Sequence, residues 1–377
     1  MRVCHVISGI DSDNGGPPLA LAGLAAAQVR AGMQVSVLSS YRFPEKSVVD
    51  AEKMKKNGVE VRLIGPAKEP MSRHPMLAPA AREMCKSHDV LHIHSMWESI
   101  QYHATSQARK LGTPYVMTPH GMLDSWNIKK KVYYALRMRS NVRSAAAIHL
   151  ATQIEREHVE KLGLGVRTIV EPHGLNLSEF RTLPEKGAFR EKFPQLRDKP
   201  YVVFLGRLDK GKGLELLVPA LAKMKRSDAM LVLVGPDFGM RAPSEAVAQR
   251  DGTANRILFT GMLLGPDKVA ALSDATVFSL PSYHENFGIA VAESLAAGTP
   301  VVVSDQVYLH PLITQEKLGG VVPLDAGALA RELDRWIADA TLRQQVSTLA
   351  RPYALNHFDW DTIAHHWLDH YKGLKRS

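Results

Sequence analysis

Two glutamates flank the start of a short predicted helix in the second half of the chain. The apolar run Ala275–Leu280 ends in a polar loop that carries Glu285, and the Ala-rich helix that follows carries Glu293 and ends at Gly298. Carboxylates accept hydrogen bonds from hydroxyl groups, and the amides of a helix's first turn bind anionic oxygens. The combination therefore suits a sugar attached to a diphosphate.

A glycine-containing loop with positive charge follows another apolar run, Tyr201–Leu205. Gly206 lets the backbone approach a ligand, and Arg207 and Lys212 supply two cations. A departing diphosphate needs such cations when no metal neutralises its charge. Basic residues after a strand are also common as plain surface, but the Glu285–Glu293 segment downstream favours the diphosphate interpretation.

The loop after the first apolar run carries Gly15 and Gly16 just before a predicted helix, where backbone amides could meet an anion. Its spacing is not that of a dinucleotide-binding fingerprint, which argues against an oxidoreductase, and a plain tight turn is the alternative. Asp11 and Asp13 have no third acidic or histidine neighbour in sequence, so we predict no metal site.

His120 ends a further strand, within Pro119-His120-Gly121. The carboxyl end of a strand faces the crevice where open α/β sheets bind ligands, so His120 is a candidate for contact with a substrate hydroxyl. A structural role is the alternative. His92 and His94 alternate on one strand, and we expect them to pack or line the crevice rather than hold a metal.

Short apolar runs alternate with helical patterns along both halves, which is typical of parallel sheets covered on both faces. The predicted strands are Val3–Ile7, Gln34–Leu38, Val59–Ile64, Val90–His94, Tyr115–Thr118, Ala147–Leu150, Arg167–Val170, Tyr201–Leu205, Met230–Val234, Ile257–Thr260, Ala275–Leu280 and Val301–Ser304. We therefore predict an α/β protein with two Rossmann-like, doubly wound domains.

A chain of 377 residues is long enough for two domains. Prolines punctuate polar sequence between Phe180 and Pro200, so we expect an N-terminal domain of residues 1–183 and a C-terminal domain of residues 184–361. The amphipathic C-terminal segment, 362–377, either closes the second core or packs back on the first domain.

Composition narrows the class of protein. The net charge is +9, and residues 1–180 hold 23 Lys/Arg against 16 Asp/Glu, which favours anionic partners. No nucleic-acid motif accompanies the charge, so we expect no nucleic-acid partner. No apolar run approaches a membrane span, and Cys4 and Cys85 lie in predicted core elements, so we expect a cytoplasmic protein with reduced thiols.

The segment 127–143 is strongly basic and interleaves aromatic and aliphatic residues. As a helix, it suits peripheral contact with anionic lipid at the inner face of a membrane. A solvated face and the edge of an acceptor site are the alternatives.

Together these residues resemble the retaining glycosyltransferases of family 4, the group 1 family, with the GT-B fold. The resemblance covers nearly the whole chain. Its motifs are Gly15-Gly16, His94, Pro119-His120-Gly121, Gly206-Arg207, Lys212, Gly235-Pro236, Gly261 and the Glu-x7-Glu signature from Glu285 to Glu293. The run Pro119–Leu123 is similar to members that build surface polysaccharides and lipopolysaccharides.

The resemblance implies a role for each matching position. Glu285 is expected to bind hydroxyls of the donor sugar and Glu293 those of the ribose, while the backbone of Asn286, Phe287 and Gly288 holds sugar and phosphate oxygens. Arg207 and Lys212 would neutralise the diphosphate, and His120 would contact the donor sugar near the reacting carbon. The remaining expected donor-binding positions are Gly15, Gly16, Gly206, Met262 and Leu263.

The implied reaction moves a hexose, with retention, from a GDP- or UDP-sugar donor to a glycan or lipid-linked saccharide acceptor. No metal or other cofactor is implied, and the implied process is surface polysaccharide biosynthesis. The alternatives are a non-catalytic nucleotide-sugar-binding relative of the same fold, and an epimerase or glycan phosphorylase with the same architecture.

Overall fold

The computed structural model describes residues 1–11, 15–123 and 128–374. Three parts of the sequence-based predictions lie outside these residues: Asp13 of the acidic pair, Asn127 at the start of the basic segment, and the end of the C-terminal segment, 375–377.

Two compact units make up the chain. The first contains Met1–Gly174 and Trp360–Ser377, and the second contains Leu175–Asp359. The division lies earlier than the boundary between residues 183 and 184 expected from the sequence. The reason is Arg351 of the second unit, whose guanidinium donates to the carbonyls of Phe180 at 2.8 Å and Arg181 at 3.0 Å.

The first unit contains a parallel sheet. Its strands are β1 (Arg2–Ile7), β2 (Gln34–Ser40), β3 (Glu60–Ile64), β4 (Val90–His94), β5 (Tyr115–Thr118), β6 (Ala147–Leu150) and β7 (Thr168–Val170). Within the described residues, these seven strands are ordered β3-β2-β1-β4-β5-β6-β7. Strand β4 is buried along its whole length, as expected for a central strand of a sheet covered on both faces.

The second unit contains another parallel sheet. Its strands are β8 (Tyr201–Leu205), β9 (Met230–Val234), β10 (Ile257–Gly261), β11 (Val277–Leu280), β12 (Val301–Ser304) and β13 (Gly319–Val322). In the described part of the chain, the six strands are ordered β10-β9-β8-β11-β12-β13. Only β13 lacks a counterpart among the predicted strands, because its two glycines dilute the apolar pattern.

Helices cover both sheets. Those of the first unit are α1 (Gly16–Arg30), α2 (Pro44–Lys56), α3 (Leu77–Ser87), α4 (Ser99–Leu111), α5 (Ile128–Tyr133), α6 (Arg139–Arg143) and α7 (Gln153–Glu160). Those of the second are α8 (Ala188–Lys192), α9 (Leu214–Lys223), α10 (Arg241–Arg250), α11 (Gly265–Ser273), α12 (Ile289–Ala296), α13 (His310–Gln315), α14 (Ala326–Ala338) and α15 (Ala340–His357). No helix among the described residues is both long and apolar enough to cross a membrane.

The last helix, α16 (Trp360–Lys372), belongs to the first unit and packs against α1. Gly23 of α1 allows this close approach, because a Cβ there would lie 2.2 Å from Nε1 of Trp360. Arg30 and Asp361 form an ion pair beside the contact. Of the apolar face predicted for the C-terminal segment, Ile363, Trp367 and Tyr371 are buried in the core of this unit.

Candidate functional site

The loops that follow β8 and β11 lie at the point where the strand order of the second sheet reverses. Open parallel sheets bind ligands at such a switch point, beyond the carboxyl ends of the strands. The loop after β8 carries Arg207 and Lys212, and the loop after β11 carries Glu285. The fold therefore directs these three residues of the sequence motifs toward one crevice of the second unit.

Gly213 brings the two loops into direct contact. It adopts φ 75°, and a Cβ at this position would lie 1.9 Å from the carbonyl oxygen of Pro281. The amide of Tyr283 also donates to the carbonyl of Gly211 at 3.0 Å. A side chain at Gly213 would force the loops apart, so the glycine is what allows Lys212 to reach the second loop.

Lys212 and Glu285 form an ion pair at the join, with Nζ 2.5 Å from Oε2. The side chains are 22% and 19% exposed, so a ligand can still reach both. The backbone of Glu285 is fixed by two hydrogen bonds, from its amide to the Gln306 carbonyl at 3.1 Å and from the Tyr308 amide to its carbonyl at 2.9 Å. The carboxylate is thus held on a rigid backbone beside a cation.

Helix α12 begins immediately after this loop. Gly288 is its N-cap, and buried Phe287 anchors the turn by packing edge-on against Phe358, with ring centroids 5.6 Å apart. Oδ1 of Asn286 is buried and has no hydrogen-bond partner among the described residues. First-turn amides lack partners within a helix, so this turn combines amide donors with an unsatisfied acceptor, as a polar ligand would require.

Glu293 forms a second carboxylate–cation cluster. Nζ of Lys268, on α11, lies 2.6 Å from Oε1 of Glu293 and 2.9 Å from Oε2 of Glu179. Burial lowers the pKa of Lys268, but the two carboxylates outweigh it and raise the pKa overall, so the ammonium stays charged. Sequence reasoning missed Lys268 and Glu179. The signal for Lys268 was its position soon after the Met262-Leu263 loop.

Arg207 has contact partners different from those of Lys212 and Glu285. Its guanidinium lies 3.2 Å from a carboxylate oxygen of Asp209 and stacks over the ring of Phe238, 5.2 Å from the centroid. The amide of Gly206 donates to the carbonyl of Val234 at 2.9 Å and so ties this loop to the neighbouring strand.

Met262 and Leu263 connect β10 to α11 at the same edge of the sheet. Met262 is 59% exposed, which leaves an apolar side chain available to a planar base.

In the first unit, Gly15 and Gly16 lie at the start of α1. Gly15 precedes the helix with φ 99°, and Gly16 is its first residue. Oδ1 of Asp11 accepts a hydrogen bond from Oγ of Ser47 at 2.5 Å, which gives this carboxylate a structural partner.

His120 follows β5 in a strained turn. Its φ of 52° is in the left-handed region, which costs a non-glycine residue energy unless the surroundings enforce it. Buried Glu155 enforces the turn, because it accepts the amide of Gly121 at 2.7 Å and that of Ala151 at 2.8 Å. Nε2 of His120 lies 3.2 Å from Nδ1 of His94, and burial lowers the pKa of His120 to about 3, so the ring is neutral.

His92 and His94 belong to a larger buried group of histidines in this unit. The other members are His5, His149 and His173. Sequence reasoning missed these three, and the signal was present for two of them: His5 and His149 interrupt otherwise apolar runs in β1 and β6. A histidine inside a buried strand must satisfy its ring nitrogens with other protein groups.

Two parallel α/β sheets, each with polar groups at the carboxyl ends of its strands, are the architecture of the GT-B glycosyltransferases. Residues 185–352 match the family described as glycosyl transferases group 1, and residues 15–174 match the glycosyl transferase 4-like domain.

Relatives with known names support the match. A D-inositol 3-phosphate glycosyltransferase of Xylanimonas cellulosilytica is 30% identical over 305 residues, covering 75% of this chain and 72% of the relative. A phosphatidyl-myo-inositol mannosyltransferase of Mycobacterium leprae is 26% identical, covering 88% of this chain and 94% of the relative. The chain belongs to the group 1 glycosyltransferases, family 4, and is a retaining enzyme that transfers a sugar from a nucleotide-sugar.

Solved structures share the fold. The structure of Anabaena Alr3699/HepE in complex with UDP and glucose superposes with a TM-score of 0.79 at 19% identity, covering 99% of this chain and all of the other. The GT-B fold and the family resemblance inferred from the sequence are therefore confirmed.

Proposed function

We propose that the chain is a metal-independent hexosyltransferase that uses a GDP- or UDP-sugar and extends a glycan or lipid-linked saccharide in surface polysaccharide biosynthesis. It would act in the cytoplasm, peripherally at the inner face of the membrane. The observation that carries the donor part is the Lys212–Glu285 ion pair directly ahead of the first turn of α12. A neighbouring structure whose title mentions UDP and glucose supports the UDP class, and a relative named as a mannosyltransferase supports transfer of a hexose.

In this proposal the donor lies along the carboxyl edge of the second sheet. Lys212 turns toward the diphosphate when the donor binds, and Glu285 then accepts hydrogen bonds from sugar hydroxyls. Oδ1 of Asn286, which is buried and has no partner in the described part of the chain, accepts from another hydroxyl. Glu293, held by Lys268 at 2.6 Å, accepts from the ribose. Met262 and Leu263 contact the base.

The reaction follows from this arrangement. The bond between the anomeric carbon and the diphosphate oxygen breaks, and the acceptor oxygen bonds to the same face of that carbon. The acceptor proton passes to the departing diphosphate, which leaves as the nucleoside diphosphate. Lys212 and Arg207 stabilise the charge that develops on the leaving group, so the catalysis is mainly electrostatic.

The first unit supplies the acceptor side. A cavity of about 670 Å³ lies beside α5 and the residues that follow it. Its lining includes the cations Lys68, Arg73 and Arg137, together with His74, His103 and one carboxylate, Glu69. The cations suit a phosphate, and we propose that the cavity takes the phosphate-bearing part of a lipid-linked acceptor.

The basic segment supports a membrane contact at the same place. Val132 and Leu136 are 52% and 77% exposed, and Lys131, Arg139 and Arg143 are exposed on the same stretch. Exposed apolar side chains among cations favour an anionic lipid surface.

A screen of donors without acceptor tests the enzymatic proposal. Glycosyltransferases hydrolyse their own donor slowly, so we expect release of UDP or GDP from one nucleotide-sugar, unchanged by EDTA. Loss of activity with EDTA would overturn metal independence. Tight binding of a nucleotide-sugar without turnover, with or without saccharide acceptors, would favour the non-catalytic alternative.

Vesicle binding tests the membrane proposal. The double variant Lys131→Ala/Arg139→Ala should bind phosphatidylglycerol-containing vesicles more weakly by about 1 kcal/mol for each charge, or roughly thirtyfold in total. Lys53→Ala/Lys55→Ala is the matched control, since it removes the same charge from α2, where both lysines pair with acidic neighbours at 2.8 Å. Equal losses in the two variants would contradict a specific contact.

A further inference from the structure

A continuous series of hydrogen bonds, called the histidine relay below, begins at His120 and crosses the interior of the first unit. Nε2 of His120 lies 3.2 Å from Nδ1 of His94, and Nε2 of His94 lies 2.9 Å from Nδ1 of His5. Nε2 of His5 lies 2.7 Å from Oε1 of Gln28, whose Nε2 lies 3.2 Å from the hydroxyl of Tyr371. This half of the relay joins the turn after β5, strands β4 and β1, helix α1 and the C-terminal helix.

The second half returns from the C-terminal helix to the sheet. The Tyr371 hydroxyl lies 2.6 Å from Nδ1 of His92, and Nε2 of His92 lies 2.6 Å from Oγ1 of Thr118. Oγ1 of Thr118 lies 2.9 Å from Nδ1 of His149, and Nε2 of His149 lies 2.8 Å from the backbone carbonyl of Glu171. The relay therefore ends at a carbonyl group, which can only accept a hydrogen bond.

That end fixes the direction of the neighbouring hydrogen bonds. Because the Glu171 carbonyl accepts, Nε2 of His149 must carry the proton, and in a neutral ring Nδ1 then accepts from the hydroxyl of Thr118. Having used its only proton, Thr118 accepts from Nε2 of His92. Nδ1 of His92 in turn accepts from the hydroxyl of Tyr371.

The same accounting continues to the other end. Tyr371 has donated its proton, so it accepts from the amide nitrogen of Gln28, and Oε1 of Gln28 accepts from Nε2 of His5. Nδ1 of His5 accepts from Nε2 of His94, and Nδ1 of His94 accepts from Nε2 of His120. The opposite direction would place a lone pair of His149 against the Glu171 carbonyl.

This assignment of donors and acceptors requires that every imidazole is neutral, and burial keeps the rings neutral. It lowers the pKa of His5 to about 4 and that of His149 to about 3, and it lowers the pKa values of His92 and His94 well below the ordinary value. Each ring therefore carries one proton near neutral pH.

We propose that Gln28 and Tyr371 are positioning residues that hold His120 in the Nε2–H tautomer, so that its Nδ1 presents a lone pair to the substrate. A lone pair accepts from a hydroxyl group and repels a phosphate oxygen. His120 is then matched to a sugar hydroxyl of the donor or acceptor, and this substrate role rests on the proposed function. The C-terminal helix thus influences the site through the hydrogen bonds of Tyr371.

A metal site is the competing explanation for the histidine cluster. In the part of the chain that the structure describes, His5, His92 and His94 have nitrogens within 4.8 Å of one another. All six of their ring nitrogens already have hydrogen-bond partners within the chain. A metal ion would have to break several of these bonds, so the hydrogen-bonded relay is the better account.

Nitrogen-15 NMR of histidine-labelled protein tests the proposal directly, because protonated and unprotonated ring nitrogens have distinct shifts. The His120 signals are assigned by their loss in His120→Asn. We expect Nε2 of His120 to be protonated and Nδ1 unprotonated. In Tyr371→Phe, Gln28 loses the acceptor that orients its amide, so His120 should populate both tautomers. Tyr115→Phe is the matched control, since it removes a buried hydroxyl that donates to the Asn141 carbonyl, outside the relay.

Gln28 provides a second pair of variants. Gln28→Glu keeps an acceptor for Nε2 of His5 and should preserve the His120 tautomer, whereas Gln28→Met removes it and should mix the tautomers. We expect turnover to fall about tenfold in Tyr371→Phe and Gln28→Met, the rate equivalent of one hydrogen bond. A proton on Nδ1 of His120 in the unsubstituted protein, or one unchanged tautomer in both of these variants, would overturn the proposal. Absence of any transferase activity would instead count against the proposed function, since the NMR result does not depend on it.

Discussion

The two units place polar groups at corresponding edges of their sheets but use opposite chemistry. The first unit buries neutral imidazoles that are joined by hydrogen bonds from strand to strand. The second unit holds partly exposed Lys–Glu pairs on loops and helices, such as Lys212–Glu285 and Lys268–Glu293. What a neutral network presents to a ligand depends on the direction of its hydrogen bonds. What charged pairs present depends on their electrostatic potential.

The difference predicts different responses to the environment. A buried neutral network must be protonated or broken when acid unfolds it, so it links proton uptake to stability. A partly exposed ion pair contributes little to stability, because solvent screens it. Its lysine can, however, leave the glutamate and bind an anionic ligand instead. The first unit should therefore be the more sensitive to pH, and the second the more sensitive to substitutions at its charges.

Acid should destabilise the first unit selectively, and this is the largest effect that we expect. The folded-state pKa is lowered to about 4 or 3 for His5, His120, His149 and His173. The unfolded chain binds more protons below pH 6.5, so stability is present above that pH and is lost as the pH falls toward about 4. Between pH 7.5 and 5.5 each ring lowers the free energy of unfolding by on the order of 1 kcal/mol, so the four together should lower it by several kcal/mol.

Hydrogen exchange measured by mass spectrometry separates the two units in this experiment. After correction for the intrinsic effect of pH on exchange, peptides from β4 and β5 should lose protection at pH 5.5, while those from β9 and β12 keep theirs. The second unit is a built-in control, because all fully buried histidines of the described chain lie in the first unit. Equal loss in both units would contradict a greater sensitivity of the first unit to pH.

Lys212→Ala tests the charged site. We expect turnover to fall about 10²- to 10³-fold, because the leaving diphosphate loses its stabilising cation. Thermal stability should change little, since the partly exposed pair contributes at most about 1 kcal/mol. Lys210→Ala is the matched control: an exposed lysine of the same loop is removed, and turnover should stay near that of the unsubstituted enzyme. Near-normal turnover in Lys212→Ala would end the charge-stabilisation role.

The sequence predicted the sheets well because their strands are short apolar runs with clear ends. Val90–His94 and Met230–Val234 match the observed strands residue for residue. The boundary between the units was placed too late, because only the folded chain reveals the hydrogen bonds from Arg351 to the carbonyls of Phe180 and Arg181. A pattern along the chain contains no information about such distant contacts.

The candidate site, like the fold, was predictable from the sequence only in part. Lys212 and Glu285 are recognisable from motifs, and the structure pairs them. The relay behind His120 was invisible, because His5 and Tyr371 approach Gln28 from opposite ends of the chain. Whether two ring nitrogens meet depends on strand register and helix docking, which a single sequence does not specify.

Glu293→Gln gives the smallest of these effects and sharpens the contrast within the second unit. If Glu293 grips the ribose in the ground state and the transition state alike, its loss should raise KM for the donor about ten- to thirtyfold and leave kcat nearly unchanged. Steady-state kinetics with the donor found in the hydrolysis screen measures both constants. Glu245→Gln is the control, because this half-exposed glutamate pairs with Arg241 on α10, at 2.9 Å. A fall in kcat with KM unchanged would instead place Glu293 among the groups that act on the leaving diphosphate, as proposed for Lys212.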